Sequence, residues 1–226
     1  QARPTHVQPT VRCIWVLSGA PLPAEPPDVS RLPRPDRVVA ADGGQGLAEL
    51  LGLDPDLVVG DLDSIDPASL ARLETEHVAI ERYEHHLKSE TDTELAALAA
   101  LRWQPERIII LGAVGGRLDH TLANILLLTN PAFRDVHVSI ADGAQELFLA
   151  KPSRWTVVRG EPGDTMSLLP LGEPATGITL EGFEYPLSDE TLTAGSGRGV
   201  SNRLAGAEGR IWLGGGQLLV VVCRKT

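Results

Sequence analysis

The stretch Ile108-Ile109-Ile110-Leu111-Gly112-Ala113-Val114-Gly115-Gly116-Arg117-Leu118-Asp119-His120 decides the fold. Its four aliphatic residues read as a strand, its glycines as a flexible turn, and Asp119 and His120 as the start of a helical pattern. A strand that runs through a glycine turn into a helix is one β-α unit of a mostly parallel sheet. The same unit recurs along the chain. Strand-like runs occupy residues 14–17, 37–40, 57–59, 78–80, 108–111 and 136–140, and helical patterns occupy 47–51, 67–73, 93–103 and 118–128. Ser89-Glu90-Thr91-Asp92 supplies capping chemistry ahead of the third helix. The proline-rich residues 21–35 read as a loop.

Beyond residue 150 the texture changes. Short apolar runs at 155–158, 166–169, 178–180, 210–213 and 218–222 are separated by Gly and Pro turns, and no long helix fits. Gly214-Gly215-Gly216 predicts a hairpin between the last two runs. The expected fold class is therefore α/β: a Rossmann-like, mostly parallel sheet with helices over residues 1–150, followed by a small antiparallel β-sandwich domain over residues 151–226.

The 226 residues are 42% hydrophobic, with 23 glycines and 17 prolines, which suits a soluble globular chain long enough for a sizeable core. The formal net charge is −10, and its placement is uneven: residues 1–150 carry 12 Lys/Arg against 22 Asp/Glu, and residues 151–226 carry 8 against 8. An acidic excess argues against nucleic acid or an anionic membrane as a partner, since both require a basic face. It leaves room for a phosphate ligand that brings a divalent cation. No apolar run approaches the length of a membrane span, and residues 1–10 lack the apolar core of a signal peptide, so a cytoplasmic location is expected. Cys13 and Cys223 each sit in an apolar run, as buried free thiols do.

In open α/β sheets, ligands bind beyond the carboxyl ends of the strands, where helix N-termini point their amides at anions. Polar residues gather there. Ala41-Asp42-Gly43-Gly44 follows the second run, Gly60-Asp61-Leu62-Asp63-Ser64 the third, Lys88-Ser89-Glu90-Thr91-Asp92 the fourth and Gly112–Gly116 with Arg117, Asp119 and His120 the fifth. Like charges at about 4 Å repel by several kcal/mol in a protein-like dielectric unless a cation joins them. Mg²⁺, which takes hard oxygen ligands and bridges carboxylates to phosphates, resolves this most simply. Asp61 and Asp63 are the sharpest pair, because residues two apart in an extended segment face the same way. Taken singly, Asp63 or Ser64 could instead cap a helix, Asp92 could merely favour a helix dipole, and Asp119 could be a capping residue.

Taken together, Asp42-Gly43-Gly44, Gly60-Asp61-Leu62-Asp63-Ser64-Ile65, Thr91-Asp92, Gly115-Gly116-Arg117-Leu118-Asp119-His120 and Ser201-Asn202, in this order and at these intervals, resemble the thiamine pyrophosphokinase family. The likeness runs through nearly the whole chain and includes Gly182-Phe183-Glu184-Tyr185-Pro186-Leu187 ahead of the Ser-Asn pair. The resemblance implies an ATP-dependent transfer of pyrophosphate to thiamine, giving thiamine diphosphate and AMP, in a homodimer with thiamine between subunits. It implies Asp61, Asp63 and Asp92 as magnesium ligands with Asp42 beside them. It also implies Arg117 on phosphate, Asp119 holding the same loop, Thr91 offering a hydroxyl, Lys88 as a basic neighbour, and Gly43, Gly44, Gly115 and Gly116 at the nucleotide. Ser201 and Asn202 would hydrogen-bond the thiamine pyrimidine. Leu62 stands where many relatives carry Phe.

Phosphoryl-type transfer needs positioning, a metal and positive charge rather than a covalent nucleophile, and no Ser-His or reactive Cys arrangement is evident. Asp42 and Asp92 both remain candidates to accept the alcohol proton. Two other functions stay open: a pyrophosphokinase of the same fold acting on a hydroxymethylpterin, and a non-catalytic nucleotide-binding module.

Overall fold

The computed structural model describes residues 11–19, 21–62, 65, 67–83 and 89–225. Six parallel strands form its first part: β1 (Cys13–Leu17), β2 (Arg37–Ala41), β3 (Leu57–Gly60), β4 (Ala79–Arg82), β5 (Arg107–Leu111) and β6 (His137–Asp142). Helices α1 (Gly44–Leu51), α2 (Pro67–Thr75), α3 (Asp92–Ala100) and α4 (Leu118–Leu127) lie between them, and residues 21–35 carry neither helix nor strand. The central strands are buried on both faces, as parallel strands sandwiched by helices must be. One face of β1, β2 and β5 packs on the alanines of α3 and on α4, through Ile14, Val39, Ile110, Ala96 and Ala100. Their other face meets Leu47 and Ala48 of α1 through Trp15, Val38 and Ile109.

The rest of the chain adds β7 (Gln145–Ala150), β8 (Trp155–Arg159), β9 (Thr165–Pro170), β10 (Ala175–Glu181), β11 (Glu190–Leu192), β12 (Asn202–Arg203), β13 (Glu208–Trp212) and β14 (Leu218–Cys223). The larger sheet has ten strands in the order β12-β9-β14-β7-β6-β5-β1-β2-β3-β4, and the smaller has four in the order β11-β10-β13-β8. Residues 151–226 thus do not build a sheet of their own alone. β9, β12 and β14 extend the parallel sheet through the antiparallel β6–β7 pair, and the small sheet covers them. Met166, Leu168, Val220 and Val222 from one layer and Ile178, Leu180, Ile211 and Leu213 from the other share one core. That is sheet-on-sheet packing, a sandwich.

The hairpin expected at residues 214–216 is not there. β13 pairs with β10 and β8, whereas β14 pairs with β7 and β9, so the three glycines carry the chain from one layer to the other. Close backbone approach is the physical reason. A Cβ on Gly216 would lie 2.7 Å from the Pro174 carbonyl oxygen, and one on Gly214 would lie 3.1 Å from both the Thr176 carbonyl oxygen and no farther than 3.3 Å from the Gly177 Cα. The hairpin lies instead at β6–β7, where Asp142 pairs with Gln145 and Gly143 has φ +55°.

Candidate active site

The strand order reverses at β1, which has β2 on one side and β5 on the other. At such a switch point the loops leave in opposite directions and open a crevice. A cleft of about 530 Å³ occupies that place, within the usual size of a ligand pocket. Ser18 and Gly19 after β1, Asp42 and Gly43 after β2, Thr91 to Thr93 at the start of α3, and Gly115, Arg117, His120 and Asn124 around the start of α4 line it.

Three helices begin at this cleft. Gly43, the N-cap of α1, and Arg117, the N-cap of α4, make no side-chain capping bond, so their first N–H groups are served by neither residue. Uncapped helix N-termini favour a bound anion. Thr91 caps α3, its hydroxyl accepting from the Glu94 N–H at 3.2 Å, and retains its own O–H to donate. Gly44 admits α1 against β1, because a Cβ there would lie only 2.0 Å from the Leu17 carbonyl oxygen.

Asp42, Asp61 and Asp92 converge here, each with a carboxylate oxygen within 4.8 Å of the others. Asp42 is buried, and Asp61 and Asp92 are half-buried. Gly60 makes the convergence possible: a Cβ at this position would stand 2.8 Å from the Asp42 Cβ and 3.3 Å from an Asp92 oxygen. Three carboxylates at this spacing repel by roughly 3 kcal/mol per pair at an effective dielectric near 20. A donor set of hard oxygens alone fits magnesium.

Some expectations change. Asp92 does not follow a strand end; β4 stops at Arg82, and Asp92 reaches the cluster as the first residue of α3, which packs on β2 and β3. Asp61 lies past β3 and Leu62 has φ +66°, so Asp61 and Asp63 are not two residues apart in an extended segment. Leu62 turns its side chain into the core with Val58, Ile65 and Leu73. Asp63, Ser64 and Lys88 lie outside the described residues.

Asp119 is apart from the acidic trio. It receives the Arg117 guanidinium in a two-point ion pair, Nε to Oδ1 at 3.1 Å and a terminal nitrogen to Oδ2 at 2.6 Å, which holds its carboxyl below the usual range. The glycine turn before it is anchored from α4. Thr121 Oγ1 accepts from Gly115 N–H at 3.2 Å, and the buried Asn124 amide donates to the Ala113 carbonyl at 2.9 Å. Gly115 and Gly116 have φ of +109° and +64°, open to glycine and to few other residues. Ser18, whose hydroxyl shares a 2.6 Å hydrogen bond with Thr93, went unnoticed in the sequence. Its place just after the first strand was the available signal.

Ser201 and Asn202 are elsewhere. They lie at β12, seven strand positions from β2, or roughly 34 Å across the sheet. Asn202 is buried. Its side-chain oxygen accepts from the Tyr185 and Arg203 N–H groups at 3.0 and 2.8 Å, and its nitrogen donates to the Tyr185 carbonyl at 2.7 Å. Ser201 is exposed, with φ +64°.

Known proteins carry the same arrangement. A family model described as thiamin pyrophosphokinase, catalytic domain, matches residues 32–140, and another, described as its vitamin B1 binding domain, matches residues 156–215. A thiamine pyrophosphokinase of Bacillus subtilis (strain 168) is 32% identical over 75% of this chain and 79% of its own. The crystal structure titled as thiamine pyrophosphokinase from Bacillus subtilis superposes with a TM-score of 0.84 at 27% identity, covering 95% of this chain and 100% of that one. The structure from Geobacillus thermodenitrificans gives 0.80 at 27% identity, covering 95% and 98%. With its acidic cleft, its glycine turns and its sandwich in the corresponding order, the chain belongs to the thiamine pyrophosphokinase family and is an ATP-dependent thiamine diphosphokinase.

Proposed function

We propose that the chain transfers the pyrophosphoryl group of ATP to the hydroxyethyl oxygen of thiamine in one in-line displacement. Asp61, Asp63 and Asp92 hold magnesium and the starts of α1, α3 and α4 seat the nucleotide. The observation that supports this most is the convergence of Asp42, Asp61 and Asp92 at the switch-point cleft. Magnesium, when bound, neutralises phosphate oxygens and lowers the barrier to approach of the alcohol. Gly43 and Gly44 offer backbone N–H groups to phosphate, and Gly115 and Gly116 allow close backbone approach. Arg117, steadied by Asp119, supplies positive charge where negative charge develops, with Lys88 as a further cation and the Thr91 O–H as a donor.

The alcohol oxygen bonds to the β-phosphorus as the bond from that phosphorus to the bridging oxygen of the α-phosphate breaks. AMP leaves with that oxygen, and Asp42 or Asp92 takes the alcohol proton. No covalent enzyme intermediate forms. Residues 1–150 hold ATP and magnesium, and residues 151–226 bind thiamine and contact a second copy. The wide separation of Ser201 and Asn202 from the cleft supports a homodimer in which each site takes its thiamine contacts from the partner chain. With both lone pairs of its amide oxygen engaged, Asn202 has one N–H left for a pyrimidine nitrogen. No helix is long and apolar enough to cross a membrane. The reaction belongs in the cytoplasm, where ATP and magnesium are at hand.

The test is a coupled assay for AMP with ATP, Mg²⁺ and either thiamine or 6-hydroxymethylpterin. AMP formation that depends on thiamine and on magnesium is the expected result. Formation with the pterin instead, or calorimetric binding of ATP with no AMP released, would overturn it.

A further inference from the structure

Helix α4 has its apolar residues on the wrong side for a helix of a single chain. Of its ten residues, Asn124 and Leu127 are buried, while Leu118, Leu122 and Leu126 are 71%, 51% and 53% exposed. Spaced by four, these three form one row along the helix, about 12 Å long. Isolated exposed leucines are ordinary; a row of them marks a covered surface. The row belongs to the same helix whose first turns carry Arg117, His120 and Asn124 into the cleft, so whatever covers it sits at the cleft's lip.

A matching apolar patch lies at the other end of the sheet. Tyr185 and Val200 are 63% and 47% exposed, and both adjoin the Ser201-Asn202 pair. Val200 precedes Ser201 in the chain, and Tyr185 is fastened to the Asn202 amide by two hydrogen bonds through its own N–H and carbonyl. Wherever Ser201 and Asn202 are carried, Tyr185 and Val200 go with them. Within one chain that edge is seven strand positions from β2.

We propose that the Leu118, Leu122 and Leu126 row of α4 is the seat of the Tyr185 and Val200 edge of a second copy of this chain. The proposal rests on the reading that Ser201 and Asn202 serve the cleft of a partner, and it names the surfaces that bring them there. Two-fold symmetry repeats the contact, α4 of each copy meeting the edge of the other, which closes the assembly at two chains and completes two sites. The two patches are unlike each other and far apart, so neither explains its own exposure. Each explains the other's.

Sedimentation of the full-length chain and its AMP-forming turnover test this. The wild type is expected to sediment as a dimer. Leu122→Asp with Leu126→Asp on one half of the contact, and Tyr185→Asp on the other, are each expected to sediment as folded monomers that have lost thiamine-dependent turnover. All three positions are exposed in the single chain, and Tyr185→Asp leaves α4 untouched, so a folding defect in either variant does not remove the test. Variants that stay dimeric and active would overturn the proposed surface and leave the shared-site reading standing. A monomeric wild type with full turnover, or monomeric variants with undiminished turnover, would overturn the shared-site reading itself.

Discussion

The acidic cleft and the Ser201-Asn202 edge differ in how complete one chain makes them. At the cleft, three carboxylates, three helix starts and an anchored glycine turn come together within a single copy, at the cost of holding like charges side by side. At the edge the polar groups are already committed: the Asn202 amide is tied to Tyr185 and Arg203, and the surrounding Tyr185 and Val200 face outward. One region is built for a ligand and lacks counter-charge. The other is built for rigidity and lacks a neighbour. Backbone strain marks both, since Asp42, Leu62 and Ser201 are three of the seven described non-glycine residues with positive φ, a conformation that costs of order 1–3 kcal/mol and persists where the surroundings impose it.

The largest effect is expected at the cleft. Asp61→Asn should lower AMP-forming turnover by about a thousandfold, as loss of a principal electrostatic group does, while circular dichroism and the thermal midpoint without magnesium stay at or above wild type. Activity near normal would remove Asp61 from the metal site. Gly60→Ala probes the same cradle. A Cβ there is expected to abolish the rise in melting temperature that magnesium gives the wild type, because the carboxylates can no longer close on the ion.

Next comes the seam between the two regions, where His137 of β6 lies against Phe148 of β7 with ring centroids 5.5 Å apart. Burial, with Arg107 adding to it, holds the imidazole pKa down to about 4, from 6.5. Below pH 6.5 the unfolded chain takes up a proton that the folded chain refuses, so this contribution to stability is complete above that pH and is lost as pH falls toward 4. Roughly 2–3 kcal/mol is at stake. Urea unfolding at pH 7 and pH 4.5 should show His137→Phe losing less stability than wild type over that interval. Equal losses would mean that the ring is not held neutral.

At the edge, Asn202→Ala should cost about 1–3 kcal/mol in urea unfolding, because it leaves the Tyr185 backbone groups unpaired, whereas Ser201→Ala should leave stability nearly unchanged and raise KM for thiamine alone. A raised KM for ATP in either variant would blur the division between the regions. The smallest effect is beside the cleft. Gln45 is 2% exposed and neither atom of its amide has a hydrogen-bond partner. Gln45→Met should therefore stabilise the fold by about 1 kcal/mol, read as a higher urea midpoint with ATP kinetics unchanged.

The cleft was the more legible region because parallel topology places chemistry at strand ends and leaves acids and glycines in the sequence there. Asp42 and Asp61 could be found that way, and the Thr91 cap was visible as a Thr with Glu94 three residues on. Asp92 entered the cluster by another route, through helix packing, which no local pattern encodes. β7 went unseen because Gln145-Glu146-Leu147-Phe148-Leu149-Ala150 mixes polar and apolar residues without strict alternation, and the Asp142-Gly143 turn that makes it a hairpin was overlooked. Gly214 to Gly216 looked like a turn for the opposite reason: glycine demanded by close packing between layers is indistinguishable in sequence from glycine demanded by a tight turn. The continuity of one sheet across residue 150 depends on long-range pairing of β14 with β7 and β9, which composition does not record.

Mixing two inactive chains tests the central claim most directly. One carries Asp61→Asn, with its edge intact; the other carries Ser201→Ala and Asn202→Ala, with its cleft intact. If one site draws its cleft from one copy and its edge from the other, co-refolded chains regain about one quarter of wild-type turnover, since half of the random dimers hold one complete site of two. If each chain builds its site alone, the mixture stays as inactive as its parts.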